Sequence, residues 1–447
     1  MESLAGWGRT APTLARVERP STVEQARRAI RTAGPRGAVA RGLGRSYGDA
    51  AQNAGGSVLS MTGLDRILAV DLAAGTVTAE AGVSLHQLMR VLLPLGWFVP
   101  VTPGTRYVTL GGAIGADIHG KNHHGSGSFC RHVNSFDLLT ADGGLRTVDR
   151  EQHADLFHAT AGGMGLTGVV TAATVRLLPV RTSLMSVDTE RATDLDDLMA
   201  RLTATDHRYR YSVAWIDLLA KGSALGRAVL TRGDHAEPGQ LTPAQRRDPL
   251  AFRPGTLPAA PSWVPGGLLR PATVGLFNEL WYRRAPRERH GEIQKLSTFF
   301  HPLDGLPEWN RIYGPGGFVQ YQFVVGLDQE RALRRIVERI SRGNCPSFLA
   351  VLKRFGSGDP GWLSFPTEGW TLALDIPARM PGLAALLDAL DEEVAAAGGR
   401  VYLAKDSRLR PELLDAMYPR LGDFRRLRAE LDPAGLFTSD LARRLRL

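Results

Sequence analysis

The sequence predicts an α+β fold with two regions of different texture. Up to about residue 183, short strands bounded by glycine alternate with capped helices. Beyond that point, longer segments of alternating polarity predict one antiparallel sheet with helices beside it. Of the 50 glycines, 26 lie within the first 170 of the 447 residues. Because glycine permits close backbone approach, this density predicts a backbone-lined binding site in the first region.

Helix start signals and turn residues delimit the elements of the first region. Ser21 and Glu24 predict a capping box for a helix that ends near Gly34, and Ser84 with Gln87 predicts another for LHQLMRVLL. The segments GAVAR, GSVLSM and GTVTAEAG have the composition of short strands. Further on, DLFHATA predicts a helix and GVVTAATVRLL a strand.

The second region contains six segments that predict strands of one sheet: YRYSVAWIDLL, GRAVLTRG, NELWYRR, GFVQYQFVVGL, PSFLAVLKRFG and GWTLALDIP. Helices are expected at 194–203, 329–341 and 382–397. Residues 235–275 are rich in proline and glycine and predict a long surface loop, of the kind that often forms a lid. The last 50 residues predict a strand, VYLAK, then a helix and a basic tail.

Composition excludes several classes of protein. With 43% hydrophobic and 22% charged residues, the chain is an ordinary globular one. Two cysteines exclude a disulfide scaffold and a cysteine-based metal site. No run approaches the ~18 apolar residues of a membrane span, and the N-terminus lacks a signal-peptide pattern. We therefore expect a cytoplasmic protein or one attached peripherally to the membrane or envelope. The net charge of +9 suits an anionic ligand, and its even spread argues against nucleic acid.

Three glycine-rich segments are candidates for holding a phosphate. ARGLGRSYGDA follows a predicted strand and permits a nest of inward-pointing amides, although a plain glycine hairpin is an equal alternative. Residues 163–168 match G-x-G-x-x-G, but they follow a helix and precede a strand, so a Rossmann site is rejected. Residues 102–128 carry seven glycines and the hydroxyls of Thr105, Thr109 and Ser128. Without a Rossmann context, three such segments favour a flavin site built from loops.

Three motifs carry a family resemblance: RGLGRSYGD at 41–49, IHGKNHH at 118–124 and AKDSR at 404–408. Together they resemble the decaprenylphosphoryl-β-D-ribose 2'-oxidase family, in the vanillyl-alcohol oxidase class of FAD enzymes. The resemblance covers nearly the whole chain, from GWGRT at 6–10 to SDLARRL at 439–445. It implies a two-domain, PCMH-type FAD-binding fold. Residues 1–183 and 399–447 would form the FAD domain, and residues 184–398 would form an inserted antiparallel-sheet substrate domain.

The resemblance also implies an activity. The family oxidises the ribose 2'-hydroxyl of a decaprenylphosphoryl or related polyprenylphosphoryl sugar to the 2'-keto sugar, with FAD as hydride acceptor. This is the first half of an epimerisation that yields the arabinose donor for cell-wall arabinan. A separate NADH-dependent keto-sugar reductase would complete it. Many relatives in the class bond FAD to a loop histidine. Arg45 and Ser46 occupy that stretch here, so non-covalent FAD is expected.

The cofactor contacts implied by the resemblance come from the glycine loops and the C-terminal motif. They are Arg41, Gly42, Leu43, Gly44, Arg45, Ser46, Tyr47, Gly48, Gly104, Thr105, Thr109, Gly111, Gly112, Ala113, His119, Gly165, Gly168, Tyr402 and Lys405. Tyr47 and Tyr402 have the core as an equal alternative.

Three side chains are candidates for the chemistry. Lys405 is the first choice, because a cation beside the flavin would stabilise the anionic reduced ring and could hold the substrate oxygen; by its local sequence alone it is a surface lysine. His119 and Lys121 follow, His119 as a base active near neutral pH or as a loop histidine bonded to backbone. His119, His123 and His124 have no carboxylate nearby in sequence, so no metal is expected.

The substrate contacts implied by the resemblance lie mostly in the inserted region. They are Tyr47, Trp215, Gln320, Gln322, Lys353, Phe355 and Ala373, and Lys353 would meet the substrate phosphate. Without the resemblance, the glutamines of FVQYQFV are an ordinary strand alternation.

Three positions depart from the family pattern and leave the exact sugar and lipid open. Ala373 stands where mycobacterial members carry a cysteine, Thr371 replaces an asparagine, and Phe300 replaces a tyrosine. Two alternatives therefore remain: an oxidase of small soluble polyols or aldonolactones in the same flavin class, and a flavin-binding interaction protein without turnover. The long 235–275 segment with Trp263 favours a lipid-bearing substrate. The basic tail is either a lipid contact or the solvated face of a terminal helix.

Overall fold

The computed structural model describes residues 1–261 and 263–447. The strands are β1 Glu2–Leu4, β2 Thr13–Glu18, β3 Ala38–Arg41, β4 Ser57–Ser60, β5 Ile67–Asp71, β6 Thr76–Glu80, β7 Trp97–Phe98, β8 Val133–Leu139, β9 Leu145–Asp149, β10 Val169–Arg176, β11 Leu178–Pro179, β12 Leu184–Ala192, β13 Tyr211–Ile216, β14 Ala228–His235, β15 Glu288–Lys295, β16 Phe318–Val325, β17 Ala350–Phe355, β18 Gly369–Pro377 and β19 Arg400–Val401.

Helices connect and cover these strands. They are α1 Val23–Arg31, α2 Leu85–Leu92, α3 Leu110–Gly115, α4 His123–Ser126, α5 Ala154–Thr160, α6 Leu195–Thr205, α7 Pro243–Arg246, α8 Pro271–Arg284, α9 Leu296–Phe300, α10 Glu330–Arg342, α11 Leu383–Ala396, α12 Pro411–Met417, α13 Leu421–Leu431 and α14 Asp440–Leu445. Within the described ranges, none of them has both the length and the apolarity to cross a bilayer.

Two small sheets organise the glycine-rich region. The first has the order β1-β2-β4-β3, with β4 parallel to both β2 and β3, and the second has the antiparallel order β5-β6-β10-β8-β9. The predicted capping box of α2 is confirmed, because the hydroxyl of Ser84 accepts from the amide of Gln87. The cap of α1 lies one residue later than predicted, since Thr22 accepts from the amide of Gln25.

An eight-stranded antiparallel sheet dominates the rest of the chain, in the order β15-β12-β14-β13-β17-β18-β16-β19. One of its faces packs on α10 and α11, where Leu333, Ile336 and Leu387 are fully buried beside Leu352 and Leu372 of the sheet. The helices lie beside an antiparallel sheet, so the predicted α+β class is confirmed. The division into domains at residues 183 and 398 stays a prediction.

Two strand predictions were wrong in whole or in part. In VYLAK only Val401 lies in a strand, β19, and residues 403–405 form a turn. The segment NELWYRR lies in α8, and the strand at that edge of the sheet is β15, which the sequence analysis missed. Pro271 at the first turn suits a helix start, and the buried Val274 and Asn278 are one helical turn apart, so they fall on one side of a helix. The predicted 235–275 loop is irregular mainly at residues 247–261 and 263–270, because α7 and the start of α8 interrupt it, and residue 262 lies outside the described residues.

The two ends of the chain meet at the RGLGRSYGD loop. The amide of Tyr47 donates to the carbonyl of Ala404 at 3.0 Å. Arg444 forms salt bridges of 2.8 Å with both Asp49 and Asp406. Gly48 lies so close to the C-terminal segment that a Cβ there would be 1.9 Å from the carbonyl oxygen of Asp406. The loop and the AKDSR motif therefore form one structural unit.

This contact predicts a large stability difference between two glycine substitutions. Gly48→Ala should lower the free energy of unfolding by at least about 1–3 kcal/mol, because backbone must move to admit the methyl group. Gly422→Ala is the control, since nothing lies within 4 Å of its Cβ position in α13 and alanine favours a helix by about 0.5–1 kcal/mol. Urea unfolding of both variants measures the difference. Equal stability of Gly48→Ala and the wild type would contradict the close contact between Gly48 and the backbone of Asp406.

Candidate active site

The register of the central strands brings polar side chains to one face of the large sheet. Gln322 pairs with Ala373, which pairs with Val351, which pairs with Trp215. Thr371 pairs with Lys353, and Gln320 pairs with Asp375. Because alternate residues of a strand share a face, these side chains and Phe355 lie on the face opposite α10 and α11. Trp215, Gln320, Gln322, Lys353, Phe355 and Ala373 are thus brought together.

The amides and carboxylate of this face form a buried hydrogen-bond network. Gln320 donates to Asp375 at 2.5 Å, and Gln322 donates to the hydroxyl of Thr371 at 3.2 Å. Gln322 also lies 2.9 Å from Nε2 of His119. Thr371 and Asp375 are completely inaccessible to solvent. Since the network fixes both glutamines, the face is a rigid polar surface.

Three lysines converge on this surface. The ammonium of Lys405 lies 3.8 Å from the ring centroid of Tyr47. Lys121 donates to the carbonyl of Phe299 and lies 4.4 Å from its ring. Burial first, and then the charge of Lys353, lower the pKa of Lys121 to about 7. Burial lowers the pKa of Lys353 to about 8. All three side chains remain partly accessible, so a ligand can reach them.

Asp375 is the carboxylate whose charge affects the pKa of Lys405. Burial raises the pKa of Asp375, and the hydrogen bond from Gln320 and the charge of Lys405 oppose that rise. Burial lowers the pKa of Lys405, while Asp375 raises it and Lys353 lowers it. Three lysines and one acid leave an excess of positive charge. The site is therefore suited to an anion.

His119 lies in an aromatic enclosure above the glutamines. Its ring centroid is 4.9 Å from that of Phe355 and 5.2 Å from that of Tyr402. Burial first, and then the charges of Lys353, His123 and Lys405, lower the pKa of His119 far below its usual value. The ring is consequently neutral near pH 7. When Nε2 accepts from Gln322, Nδ1 carries the hydrogen, and Nδ1 is buried without a protein partner.

The other histidines of the IHGKNHH motif have contacts of their own. His123 lies 3.7 Å from Asp359, and His124 lies 2.8 Å from the carbonyl of Tyr209. In the part of the chain that the structure describes, no three histidine, cysteine or acidic side chains form a group able to hold a metal ion.

The RGLGRSYGD loop presents free backbone donors. Among the described residues, none of the amides from Leu43 to Ser46 donates a hydrogen bond to the protein. Gly42 brings the loop against α3, since a Cβ there would be 2.1 Å from the hydroxyl of Thr109. Gly104 and Gly165 face open space. Consecutive free amides beside open glycine surfaces suit the phosphates of an extended cofactor.

Several predicted cofactor residues shape these loops through contacts within the protein. Arg41 donates to the carbonyls of Ala5 and Ala51, and Thr109 accepts from the amide of Gly112 at the start of α3. Arg45 stacks on the ring of Trp7 at 3.8 Å. The amide of Gly111 donates to the carbonyl of Ala81, Gly168 packs against Leu138 and Leu139, and the hydroxyl of Tyr402 donates to the carbonyl of Ala116. Direct contact of these residues with a cofactor stays a prediction.

Comparison with known proteins gives family matches over the parts of the chain that form the glycine loops and the polar face. Residues 14–149 match the FAD binding domain family, and residues 328–445 match the D-arabinono-1,4-lactone oxidase family. The decaprenylphosphoryl-β-D-ribose oxidase of Mycolicibacterium smegmatis is 47% identical to this chain, over 99% of this chain and 97% of the relative. This chain belongs to the decaprenylphosphoryl-β-D-ribose oxidase family. It is an FAD-dependent oxidoreductase of the vanillyl-alcohol oxidase class, as the sequence predicted.

Two further relatives show how widely the similarity extends. An uncharacterized protein of Streptomyces coelicolor is 54% identical over 82% of this chain and all of its own length. The alditol oxidase of a Streptomyces species is 27% identical over 99% of both chains. The similarity to the alditol oxidase and to the Mycolicibacterium smegmatis oxidase therefore covers both the glycine loops and the polar face.

The residues present fit FAD. The free amides from Leu43 to Ser46 can bind its pyrophosphate, and the open surfaces at Gly104 and Gly165 leave room for its extended body. The orphaned Nδ1 of His119 and the ammonium of Lys405 offer donors to a ligand at the polar face.

Sequence analysis missed two residues of the site. Asp375 lies within the predicted strand GWTLALDIP but was not predicted as a site residue, and neither was Tyr313, whose hydroxyl lies 3.5 Å from Asp375. A carboxylate inside an apolar strand was the available signal for Asp375, because such a group is rarely buried without partners. Phe300, noted as a departure, packs against Phe98 and Tyr211, and its ring centroid is 5.9 Å from the ammonium of Lys121.

The depressed pKa of Lys353 predicts a pH-dependent stability. In the unfolded chain this lysine keeps its proton up to about pH 10.5, whereas in the folded chain it loses the proton near pH 8. Between these values the unfolded state binds more protons, so stability rises with pH, by up to about 1.4 kcal/mol per unit. Lys353→Met should remove this slope. Urea unfolding from pH 7.5 to 9.5, compared between the two proteins, measures it; parallel profiles would contradict the assignment.

Ala373 predicts resistance to thiol-directed inhibitors of the family. Both cysteines are buried, and burial raises the pKa of the Cys345 thiol to about 12 and that of Cys130 well above its usual value. The native protein should therefore form no covalent adduct, whereas Ala373→Cys should form one, because position 373 lies beside Gln322 and Val351 on the polar face. Intact-protein mass spectrometry distinguishes the two. A stable adduct on the wild type would overturn this interpretation.

Proposed function

We propose that this chain oxidises the ribose 2'-hydroxyl of a polyprenylphosphoryl ribose, such as decaprenylphosphoryl-β-D-ribose, to the 2'-keto sugar. The observation that carries the proposal is the convergence of three lysines on one polar face beside the FAD loops. A relative named for this substrate is 47% identical across nearly the full length of both chains. The face supplies positive charge for a phosphodiester and hydrogen-bonding groups for a sugar.

FAD, when bound, supplies the hydride acceptor for the carbon that carries the hydroxyl. The amides from Leu43 to Ser46 would hold its pyrophosphate, and the glycine surfaces would border the rest. Residues 41–49 contain neither histidine nor cysteine, which supports non-covalent attachment. Lys405 sits where the loop and the C-terminal segment cross, so both ends of the chain would contact the cofactor.

Lys353 and Lys121 bind the substrate phosphate in this proposal. Their ammonium groups have no carboxylate among the influences on their pKa, so their charges are uncompensated by the protein. A phosphodiester placed between them would raise both pKa values and favour the charged forms. The phosphate would thus fix the sugar against Gln322 and Ala373.

Lys405 holds the oxygen of the reacting hydroxyl and accepts its proton. Its pKa is lowered by burial, which makes the free amine available near neutral pH. Asp375, which Gln320 orients, keeps that pKa from falling further. His119 is too weak a base for this role, and it orients the sugar through its free ring nitrogen.

The product would require a second protein. A 2'-keto sugar becomes the arabinose epimer only when hydride returns to the opposite face of the same carbon. The proposed partner is an NADH-dependent keto-sugar reductase that takes this product.

Anaerobic bleaching of the flavin absorbance tests the proposed substrate. Polyprenylphosphoryl ribose should bleach the purified yellow protein, and xylitol should not. Lys405→Met should slow bleaching by at least about 100-fold, the usual minimum for a general acid–base group, because it removes the proton acceptor. Lys295→Met, an exposed lysine at the end of β15, is the matched control and should bleach at the wild-type rate.

Two outcomes would overturn the proposal. Bleaching by xylitol alone would assign the chain to the soluble polyol oxidases, and bleaching by neither compound would leave a flavin-binding protein without this activity.

A further inference from the structure

Helix α8 exposes an apolar surface that a water-facing helix would not normally carry. On one side, the buried Val274 and the bond of 2.7 Å from Asn278 to Asp217 anchor the helix to the protein. On α8 and on the segment that precedes it, large apolar side chains are between 42% and 78% exposed. We call this the α8 surface; its members are Trp263, Leu268, Leu276, Phe277, Leu280 and Trp281. Contiguous exposed patches of this kind mark binding sites for a protein or a membrane.

The charge around the α8 surface is strongly positive. Residues 252–287 contain five arginines, at 253, 270, 283, 284 and 287, and one acidic residue, Glu279. That glutamate already pairs with Arg227 at 2.6 Å. Arg283 also pairs with Glu279, and Arg253 lies 3.6 Å from Asp248, which leaves Arg270, Arg284 and Arg287 without a salt bridge among the described residues. Leucine and aromatic side chains flanked by such free arginines are the composition of helices that lie in an anionic membrane interface.

The basic C-terminal tail is the other candidate for lipid contact, but its arginines are engaged by groups within the protein. Its arginines bond to carboxylates or carbonyl groups: Arg425 to Asp415, Arg426 to Asp423, Arg428 to the carbonyl of Phe437, Arg443 to Asp440 and Arg444 to Asp49. The tail is therefore a less suitable lipid contact than α8.

An aromatic path joins the α8 surface to the lysines. The ring centroid of Trp281 is 6.5 Å from that of Trp215 on the polar face, and Phe277 is 5.9 Å from Phe348. From Phe348, successive ring centroids lie 5.9, 4.2 and 5.5 Å apart, and the last ring is 3.8 Å from the ammonium of Lys405. The rings after Phe348 are Tyr313, Phe318 and Tyr47. The rings therefore form a continuous aromatic contact between the α8 surface and the site.

We propose that the α8 surface docks on an anionic lipid bilayer and so receives the prenyl-linked substrate from it. The prenyl chain stays against the bilayer and the aromatic rings, while the phosphoryl sugar reaches the lysines. The delivery step rests on the proposed function, but the docking itself does not. Bilayer binding and turnover can therefore be tested separately.

Co-sedimentation of the holoenzyme with vesicles tests the docking. The probes are vesicles of phosphatidylcholine alone and vesicles with added phosphatidylglycerol. The wild type should bind the anionic vesicles and lose affinity as salt rises. Leu276→Gln with Leu280→Gln should weaken that binding at least about tenfold, because two exposed leucines would no longer enter the interface. Leu68→Gln with Leu72→Gln, equally apolar and exposed elsewhere, is the matched control and should bind as the wild type does.

A kinetic measurement tests the delivery. With substrate embedded in anionic vesicles, the α8 variant should show a raised KM, and with a short-chain, water-soluble prenylphosphoryl ribose it should match the wild type. Equal vesicle binding by the α8 variant and the wild type, or no binding by either, would overturn the docking proposal. Vesicle binding without oxidation of either substrate would overturn the proposed function and leave the docking intact.

Discussion

Desolvation of three lysines on one side of the large sheet is the constraint on which the site depends. Lys121, Lys353 and Lys405 converge on this side, Asp375 offsets the charge of Lys405 alone, and burial lowers the pKa of each lysine. Such an arrangement costs folding free energy, because ammonium groups leave water without full compensation. The cost is offset when an anion enters. In the proposed reaction, the same depressed pKa values that weaken the ligand-free fold would supply a proton acceptor and a phosphate site, so stability and activity would be opposed here.

The rest of the architecture serves to bring distant segments to these lysines. The sheet supplies Lys353 and Asp375 from adjacent central strands, the glycine-rich region supplies Lys121 and His119, and the C-terminal segment supplies Lys405. The crossing at Gly48, where the FAD loop touches the backbone of Asp406, ties the last of these to the first region. Because the RGLGRSYGD loop and the segment that carries Lys405 share one crossing, neither has much freedom to move alone.

Much of this could be predicted from sequence, for identifiable reasons. Capping residues such as Ser84 and Gln87 act locally, so α2 was predicted correctly. The alternation of polar and apolar residues predicted the central strands. The strand prediction for NELWYRR was wrong because a short run of leucine and aromatic residues suits a strand and a helix equally. Only the attachment of this segment to the protein through Val274 and Asn278 determines that it is a helix. Asp375 was missed because its significance depends on register. Nothing local reveals that Gln320 lies opposite it or that Lys405, 30 positions later, approaches it.

Proton uptake on ligand binding would show whether the lysines receive the phosphate of the substrate. The ligand is a prenylphosphoryl sugar that lacks the 2'-hydroxyl, so the holoenzyme binds it without oxidising it. Near pH 8 the lysines are partly deprotonated, and an anion among them should draw protons from solution. Calorimetric titration in two buffers of different ionisation enthalpy measures this exchange. We expect net proton uptake by the wild type and a smaller proton uptake by Lys353→Met. Binding with no buffer dependence, or with proton release, would show that the lysines do not receive the phosphate.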